Sequence, residues 1–290
     1  MKGIILAGGK NTRLKPLTNA ITKQLLPIYN KPMIFYPLST LMLAGIKDIL
    51  IISNPGDIEL IKKLLGKGLQ LGINISYQLQ KKPEGIAQAL KIGKKFIDNK
   101  PVTLILGDNL FFGSNLGFNI KNAIKKNKGA TIFAYNVYDP SMYGVVKLSK
   151  NGKPLSIIEK PKRFISNYAI TGLYFFDNKV VKYSKNLKPS KRGELEIVDL
   201  LNKYRKRNKL SAEFIGRGGA WLDTGTIEDY YKTSAFVQAI ENRQGLKIAC
   251  LEEISYLNKW IKKKEILRQI KFYGKCSYSN YLRKIINHSV

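Results

Sequence analysis

One histidine stands in 290 residues, His288, close to the end of the chain. A Ser-His-Asp or Cys-His nucleophile needs an internal imidazole as its base, and a His-rich metal site needs several. Both are excluded. Two cysteines, Cys250 and Cys276, are too few for a four-thiolate zinc site or a disulfide scaffold. They read as free thiols of a reducing compartment. Acidic residues are scarce, 20 against 50 Lys and Arg, which leaves a net charge of +30. No segment is apolar for ~18 residues, so no membrane span is expected. The opening run Met1 to Ala7 is too short for a secretory signal, and Lys10, Arg13 and Lys15 follow at once. A buried first strand explains it better, and the chain is expected in the cytoplasm.

What the sequence does have is material for a core: 44% of its residues are hydrophobic and 24% charged, the balance of an ordinary globular protein. The positive charge invites a nucleic-acid reading, but its composition argues otherwise. Of the basic residues 41 are Lys and only 9 Arg, the residue that reads guanine edges and grips phosphate bidentately. The lysines are scattered, with denser groups at 121–128, 203–209 and 262–264. Lys, Ile and Asn share A/T-rich codons, so a solvated, composition-driven surface is expected and a nucleic-acid partner is not. Such a surface would still attract anionic nucleotides at low salt.

Apolar strands alternate with helical patterns through the first half. Strands are expected at 2–6, 48–53, 73–78, 102–106 and 130–136. Helices are expected at 32–44 (opened by Pro32), 57–65, 85–97 and 116–126. Strands apolar throughout, separated by helices, predict an α/β fold: a Rossmann-like, mostly parallel mixed sheet with helices on both faces. After about residue 140 the rhythm changes. Short strands at 143–148 and 154–159 flank Asn151-Gly152, a hairpin signal. A strand at 168–176, helices at 179–185 and 194–206, short strands at 211–215 and 220–222, and a helix at 226–241 follow. We expect a nucleotide-binding part at 1–140, a sugar-binding part at 141–241, and a mainly helical appendage of the same unit at 242–290.

Ligands in such sheets sit beyond the carboxyl ends of the strands, which selects a few motifs. Leu6-Ala7-Gly8-Gly9-Lys10-Asn11-Thr12-Arg13 is a glycine turn after the first strand. Its backbone N–H groups can approach phosphate oxygens, and Lys10, Arg13, Lys15 and Lys23 surround it. It is neither a P-loop nor a GxGxxG fingerprint. Gly107-Asp108-Asn109 and Trp221-Leu222-Asp223-Thr224-Gly225 each place a carboxylate at a strand end. Together with phosphate oxygens the two could hold Mg²⁺; singly, each reads as a turn or helix cap. Glu159-Lys160-Pro161 offers an acceptor for a sugar hydroxyl beside a cation for a phosphate, or a surface pair at the end of a hairpin.

Taken in order, these motifs resemble the sugar nucleotidyltransferases, in their short thymidylyl-specific branch. The likeness runs nearly end to end: GIILAGGxxTRLxPxT at 3–18, KQLLPIYNKPMIFYPLSTLMLAGI at 23–46, GIAQA at 85–89, LGDNLFFG at 106–113, YGVV at 143–146, EKP at 159–161, YAITGLYFFDN at 168–178, RGELEI at 192–197, AWLDTGT at 220–226 and GLKIACLEEI at 245–254. The resemblance implies the nucleotide-diphospho-sugar transferase fold and transfer of a thymidylyl group from dTTP to glucose-1-phosphate, giving dTDP-glucose and pyrophosphate on the way to deoxysugars of cell-surface polysaccharide. It also implies the roles of particular residues. Gly8, Gly9, Asn11, Thr12 and Arg13 would hold the triphosphate, with Arg13 on the leaving pyrophosphate and Lys23 at the reacting phosphates. Gln24 would contact the deoxyribose, and Gln80 and Gly85 the thymine edge. Asp108 and Asp223 would hold Mg²⁺, Asp108 also facing the nucleotide. Asn109, Tyr143, Gly144, Glu159 and Ile170 would shape the glucose pocket, with Lys160 and Arg192 on the sugar phosphate. The catalytic set would be Arg13, Lys23, Asp108, Lys160 and Asp223.

One departure is visible. Similar proteins carry GGxGTRL, and Asn11 replaces that second glycine here, preceded by Lys10. Asn is among the best non-glycine residues at positive φ, so the turn is expected to persist. UTP is the leading alternative nucleotide, because uracil and thymine differ by one methyl group. A catalytically idle or nucleic-acid-binding relative is the rival from a different class; retention of the scattered set Arg13, Lys23, Asp108, Lys160 and Asp223 argues against it. The resemblance further implies a homotetramer with a regulatory nucleotide-sugar site between subunits.

Overall fold

The computed structural model describes residues 1–10 and 12–287; Asn11 and His288 lie outside the described residues. In chain order, β1 (Lys2–Leu6) leads into the glycine turn and two short 3-10 turns, Thr12–Leu14 and Lys23–Leu25. A small hairpin of β2 (Pro27–Ile28) and β3 (Lys31–Pro32) precedes α1 (Phe35–Leu43). Then come β4 (Asp48–Ser53), α2 (Asp57–Leu65), β5 (Asn74–Leu79), α3 (Gln88–Ile92), α4 (Lys94–Ile97), β6 (Val102–Leu106) and β7 (Asn109–Phe112). They are followed by α5 (Leu116–Lys126), β8 (Ala130–Asn136), β9 (Gly144–Leu148), β10 (Pro154–Glu159) and β11 (Tyr168–Phe176). The chain closes with α6 (Val180–Lys185), α7 (Ile197–Arg205), β12 (Leu210–Phe214), β13 (Ala220–Asp223), α8 (Ile227–Gln244), α9 (Leu251–Leu257), α10 (Lys263–Tyr273) and α11 (Ser277–Asn287).

The central sheet is mixed, in the order β10-β9-β11-β6-β1-β4-β5, with β8 on β11 and β12 on β8. Its first half, β5-β4-β1-β6, is parallel throughout. Strand β11 then runs antiparallel to both β6 and β8 and joins the two halves. Alternation along the strands explains the uniform apolar runs. Ile4, Leu50, Leu104 and Tyr174 face one core, and Ile5, Ile51, Ile105 and Phe175 the other. Both faces are covered, so the middle of these strands is almost entirely apolar, with Thr103 and Thr171 as buried exceptions.

Three expected helices differ, that expected at 194–206 beginning only at Ile197 because Leu195 N–H bonds to Glu84 carbonyl (2.7 Å). The helix expected at 32–44 begins only at Phe35, because Met33 N–H bonds to Leu26 carbonyl (2.9 Å) and Ile34 N–H to Gln24 carbonyl (2.9 Å). Pro32 instead lies in β3 opposite Pro27. The helix expected at 85–97 is broken into α3 and α4. Ala87 N–H bonds across to Leu195 carbonyl (3.1 Å), and Gly93 packs so tightly on β1 that a Cβ there would meet Ile4 Cδ1 at 2.8 Å. The expected strand end at 220–222 extends to Asp223, and its partner β7 carries no local signal because it pairs with residues far along the chain.

The last two helices, α10 and α11, enclose their own core of Ile266, Ile270, Leu282 and Ile285 around buried Cys250. They are tied to α9 by tyrosines: Glu252 accepts from Tyr273 (2.7 Å) and Tyr278 (2.6 Å), and Glu253 from Tyr281 (2.7 Å). Glu241, at the end of α8, anchors this region to the β2–β3 hairpin. It accepts from Lys31 Nζ (2.7 Å), Asn30 Nδ2 (2.6 Å) and Ile248 N–H (2.9 Å), with Lys31 and Glu241 nearly inaccessible. Burial drives the Lys31 ammonium below its ordinary range even with this partner. Both cysteines are free thiols, Cys250 buried and Cys276 exposed. No helix among the described residues is long and apolar enough to cross a membrane.

Candidate active site

The carboxyl ends of β1, β4, β5 and β6 converge on one cleft. Gly8 and Gly9 leave β1 there, and Gly9 takes φ +121°, a conformation a side chain rarely adopts. Asn54, just past β4, braces this turn: its Oδ1 accepts from Gly9 N–H (3.3 Å) and its Nδ2 donates to Gly9 carbonyl (2.8 Å) and to Asp57 (3.1 Å). Sequence reasoning missed Asn54, whose only local signature is the turn Asn54-Pro55-Gly56. Behind Gly8 lies Gln80, 2% exposed, so close that a Cβ on Gly8 would overlap Gln80 Oε1. Gly85 takes φ +101° because Leu195 is against it; a Cβ there would lie 2.6 Å from Leu195 carbonyl.

At the end of β6 the chain turns through Gly107 into Asp108. The β7–β13 ladder pairs Asn109 with Asp223, and Thr224 donates to Asp108 carbonyl through both N–H (3.1 Å) and Oγ1 (2.8 Å). Two carboxylates distant in sequence thereby come together in a poorly solvated place. Lys23 forms an ion pair with Asp108, and Asn109 Nδ2 donates to Asp108 Oδ1 at 2.9 Å. Burial opposes the Asp108 charge, but these partners outweigh it and hold the group below its ordinary range. Asp223 has no ion pair among the described residues, and the Lys23 and Arg13 charges only partly offset what raises it. Burial, then the Asp108 charge, push it up to about 7.

The sugar side is built on β9, β10, β11 and the start of α7. Glu159 ends β10 and Lys160 follows it, at φ +44° and with its N–H on Tyr143 carbonyl (2.9 Å). Arg192 is gripped by carboxylates: Nε and Nη2 meet Glu196 at 2.9–3.1 Å, and Nη2 also reaches Glu159 at 3.4 Å. Ser190 Oγ fixes Glu196 from behind at 2.7 Å. Glu196 was not expected here, although it lies inside the RGELEI motif. Asn109 is 2% exposed. Its Oδ1 accepts from Trp221 Nε1 (2.6 Å) and Gly172 N–H (3.1 Å), so it shapes the floor of the pocket and has one amide hydrogen left for a ligand.

The expected residues are brought together. A cavity of about 460 Å³ is lined by Gly8, Gly9, Arg13, Gln24, Gln80, Gly85 and Asp108. A smaller one of about 190 Å³ holds Thr12, Arg13 and Lys23, with Gly225. A third, about 280 Å³, is lined by Asn109, Tyr143, Gly144, Glu159, Lys160, Ile170, Arg192 and Asp223. Arg13 borders all three, and Arg192 borders the first and third. Asn11 lies outside the described residues. Three adjoining cavities that share Arg13, with two carboxylates where they meet, suit the joining of two phosphorylated substrates.

The fold and this cleft are those of the nucleotidyl transferases: the model of that family matches residues 2–240, and the chain belongs to it. Within the family it is similar to glucose-1-phosphate thymidylyltransferases. The Neisseria gonorrhoeae protein of that name is 52% identical over 286 residues, 99% of each chain. That of Mycobacterium tuberculosis H37Rv is 46% identical over 289 residues, the full length of both. Among solved structures, a Bacillus anthracis glucose-1-phosphate thymidylyltransferase in complex with sucrose superposes with TM-score 0.75 at 40% identity, covering 81% of this chain and 94% of that one. A UDP-glucose pyrophosphorylase complexed with UDP-glucose superposes with TM-score 0.73 at 26% identity, over 84% of this chain and 99% of that one.

The family is generally metal-dependent, and the donor set here fits a hard divalent cation. Two carboxylates of like charge lie close together, and Lys23 pairs with Asp108 only, so burial and the Asp108 charge raise Asp223. No third His, Cys, Asp or Glu joins them to form a cluster among the described residues. Two carboxylates leave most of the coordination shell of such a cation to other oxygen donors.

Proposed function

We propose that the chain transfers a thymidylyl group from dTTP to glucose-1-phosphate, releasing pyrophosphate and giving dTDP-glucose. The observation that carries this reading is the full-length likeness, at about half identity, to proteins of that one activity. The cleft supports it with a separate chamber for each substrate.

In this reading the backbone of Gly8 and Gly9 receives the triphosphate at the end of β1, with Arg13 and Lys23 supplying positive charge. Gln80 and Gly85 face the base and Gln24 the deoxyribose. Glu159 accepts from a glucose hydroxyl, with Tyr143, Gly144 and Ile170 as walls. Lys160 and Arg192 take the sugar phosphate. Because Glu196 engages Nε and Nη2 of Arg192, its Nη1 stays open to a phosphate oxygen. A sugar phosphate is already ionised at neutral pH, so its oxygen can attack the α-phosphorus in line without a general base. That agrees with a cleft that contains no histidine among its lining residues. The enzyme's work is then to bring two anions together and offset their charge. Asp108 and Asp223 would hold Mg²⁺, which when bound offsets phosphate charge and stabilises the transition state.

Release of pyrophosphate from dTTP that requires glucose-1-phosphate and is lost with EDTA tests this. Faster release with UTP would replace the base assignment. The resemblance also leads us to propose a homotetramer, which light scattering on the purified chain tests, and a cytoplasmic location.

A further inference from the structure

Gln80 is held in one orientation by a chain of hydrogen bonds with a fixed direction. Gln88 Oε1 accepts from the backbone N–H of Glu84 (3.1 Å), and Gln88 Nε2 donates to the Glu84 carboxylate (2.9 Å). A backbone N–H can only donate and a carboxylate can only accept, so the Gln88 amide has no freedom to flip. It must therefore present an acceptor to Gln80, which answers with Nε2 at 2.6 Å. The Gln80 oxygen is forced to the opposite side, against Gly8 at the wall of the larger cavity. There Oε1 is buried and has no hydrogen-bond partner among the described residues. A buried acceptor without a partner is costly, and a ligand N–H would satisfy it.

We propose that Glu84 and Gln88 are specificity-determining residues: they lock Gln80 as an acceptor, so that the base site selects an imide N–H, as in thymine and uracil, over the bare ring nitrogen of cytosine. This rests on the proposed thymidylyl transfer and on the base lying against Gln80. The relay is blind to the methyl group that separates thymine from uracil. Selection between those two must come from elsewhere in the cavity.

The relay gives a test by reversal. Gln88→Leu removes the lock and frees the Gln80 amide to turn its Nε2 into the cavity. The double change Glu84→Gln with Gln88→Glu puts the carboxylate at position 88 instead, where it can still only accept from Gln80, and the direction is preserved. The readout is the ratio of kcat/KM for dTTP to that for dCTP, each with saturating glucose-1-phosphate and Mg²⁺. Both rates come from one preparation, so any loss of folded enzyme cancels. Gln88→Leu should lower the ratio about tenfold or more, the worth of one hydrogen bond with a reversed partner, and the double variant should stay near wild type. An unchanged ratio in Gln88→Leu, or a double variant as unselective as the single one, overturns the relay while leaving thymidylyl transfer intact. A wild-type chain that turns over dCTP as readily as dTTP overturns the relay as well. If no nucleotide is turned over, the underlying functional reading falls first.

Discussion

Thr224 binds the backbone carbonyl of Asp108 twice, through its N–H and its hydroxyl. That clasp fixes the end of β13 beside the end of β6 and brings Asp223 next to Asp108. The result is a pair of carboxylates of which only Asp108 has an ion-pair partner, Lys23, while Asp223 is pushed up to about 7 by burial and by its neighbour. The site stores an unfavourable charge that a cation can relieve.

Asp223→Asn should therefore act in opposite directions on activity and stability. Turnover should fall ~10²-fold or more, a typical cost of one electrostatic group at a reacting centre. The folded-state pKa lies above the unfolded value of 3.8, so the wild-type folded state binds the proton more tightly. Its stability drops as pH rises from about 4 through 7, and the ionised form above 7 bears the full cost. The amide should thus be more stable than wild type at pH 8 without metal, by an amount on the order of a few kcal/mol, and show little difference near pH 4. Thermal unfolding in EDTA at both pH values checks this.

The same proton should compete with metal. Below about pH 7 Asp223 is protonated in the free protein, so Mg²⁺ affinity should weaken as pH falls, by up to about tenfold per unit. Above pH 7.5 it should level off. Calorimetric titration of Mg²⁺ between pH 5.5 and 8.5 measures it, and a flat profile would remove Asp223 from the metal site.

Asn54 grips Gly9 at both N–H and carbonyl. Asn54→Ala leaves the chemistry untouched but loosens the turn we propose for the triphosphate. The KM for dTTP should rise about tenfold, with a smaller change in kcat and little in the KM for glucose-1-phosphate. Arg13→Ala, by contrast, should lower kcat itself by ~10²-fold or more.

Glu241 is the counter-ion of a buried lysine. Glu241→Gln leaves the Lys31 ammonium without its charge partner, and loss of one member of a buried pair costs roughly 3–5 kcal/mol. Urea unfolding at pH 7.5 should show that loss. Glu241→Gln combined with Lys31→Met should recover part of it.

Where the sequence was legible, one local reason sufficed. Ile4, Ile5, Ile51 and Ile105 announce strands because both sheet faces are buried, and Gly8-Gly9 announces a turn because only glycine takes its geometry. Elements decided by distant partners left no such trace. The start of α1 is set by Leu26 and Gln24 carbonyls, and β7 exists because Trp221 and its neighbours lie beside it. The candidate site was legible mainly through its resemblance to known motifs. Asn54, Glu196 and Gln88 act by orienting other residues, and such a role shows only when the partners are in place.

The most direct measurement is pyrophosphate release with glucose-1-phosphate and Mg²⁺, offering dTTP, UTP, dCTP, ATP and GTP one at a time. The account expects the fastest release with dTTP, none without the sugar phosphate, and none after EDTA. Equal release with every nucleotide, or none with any, would contradict it.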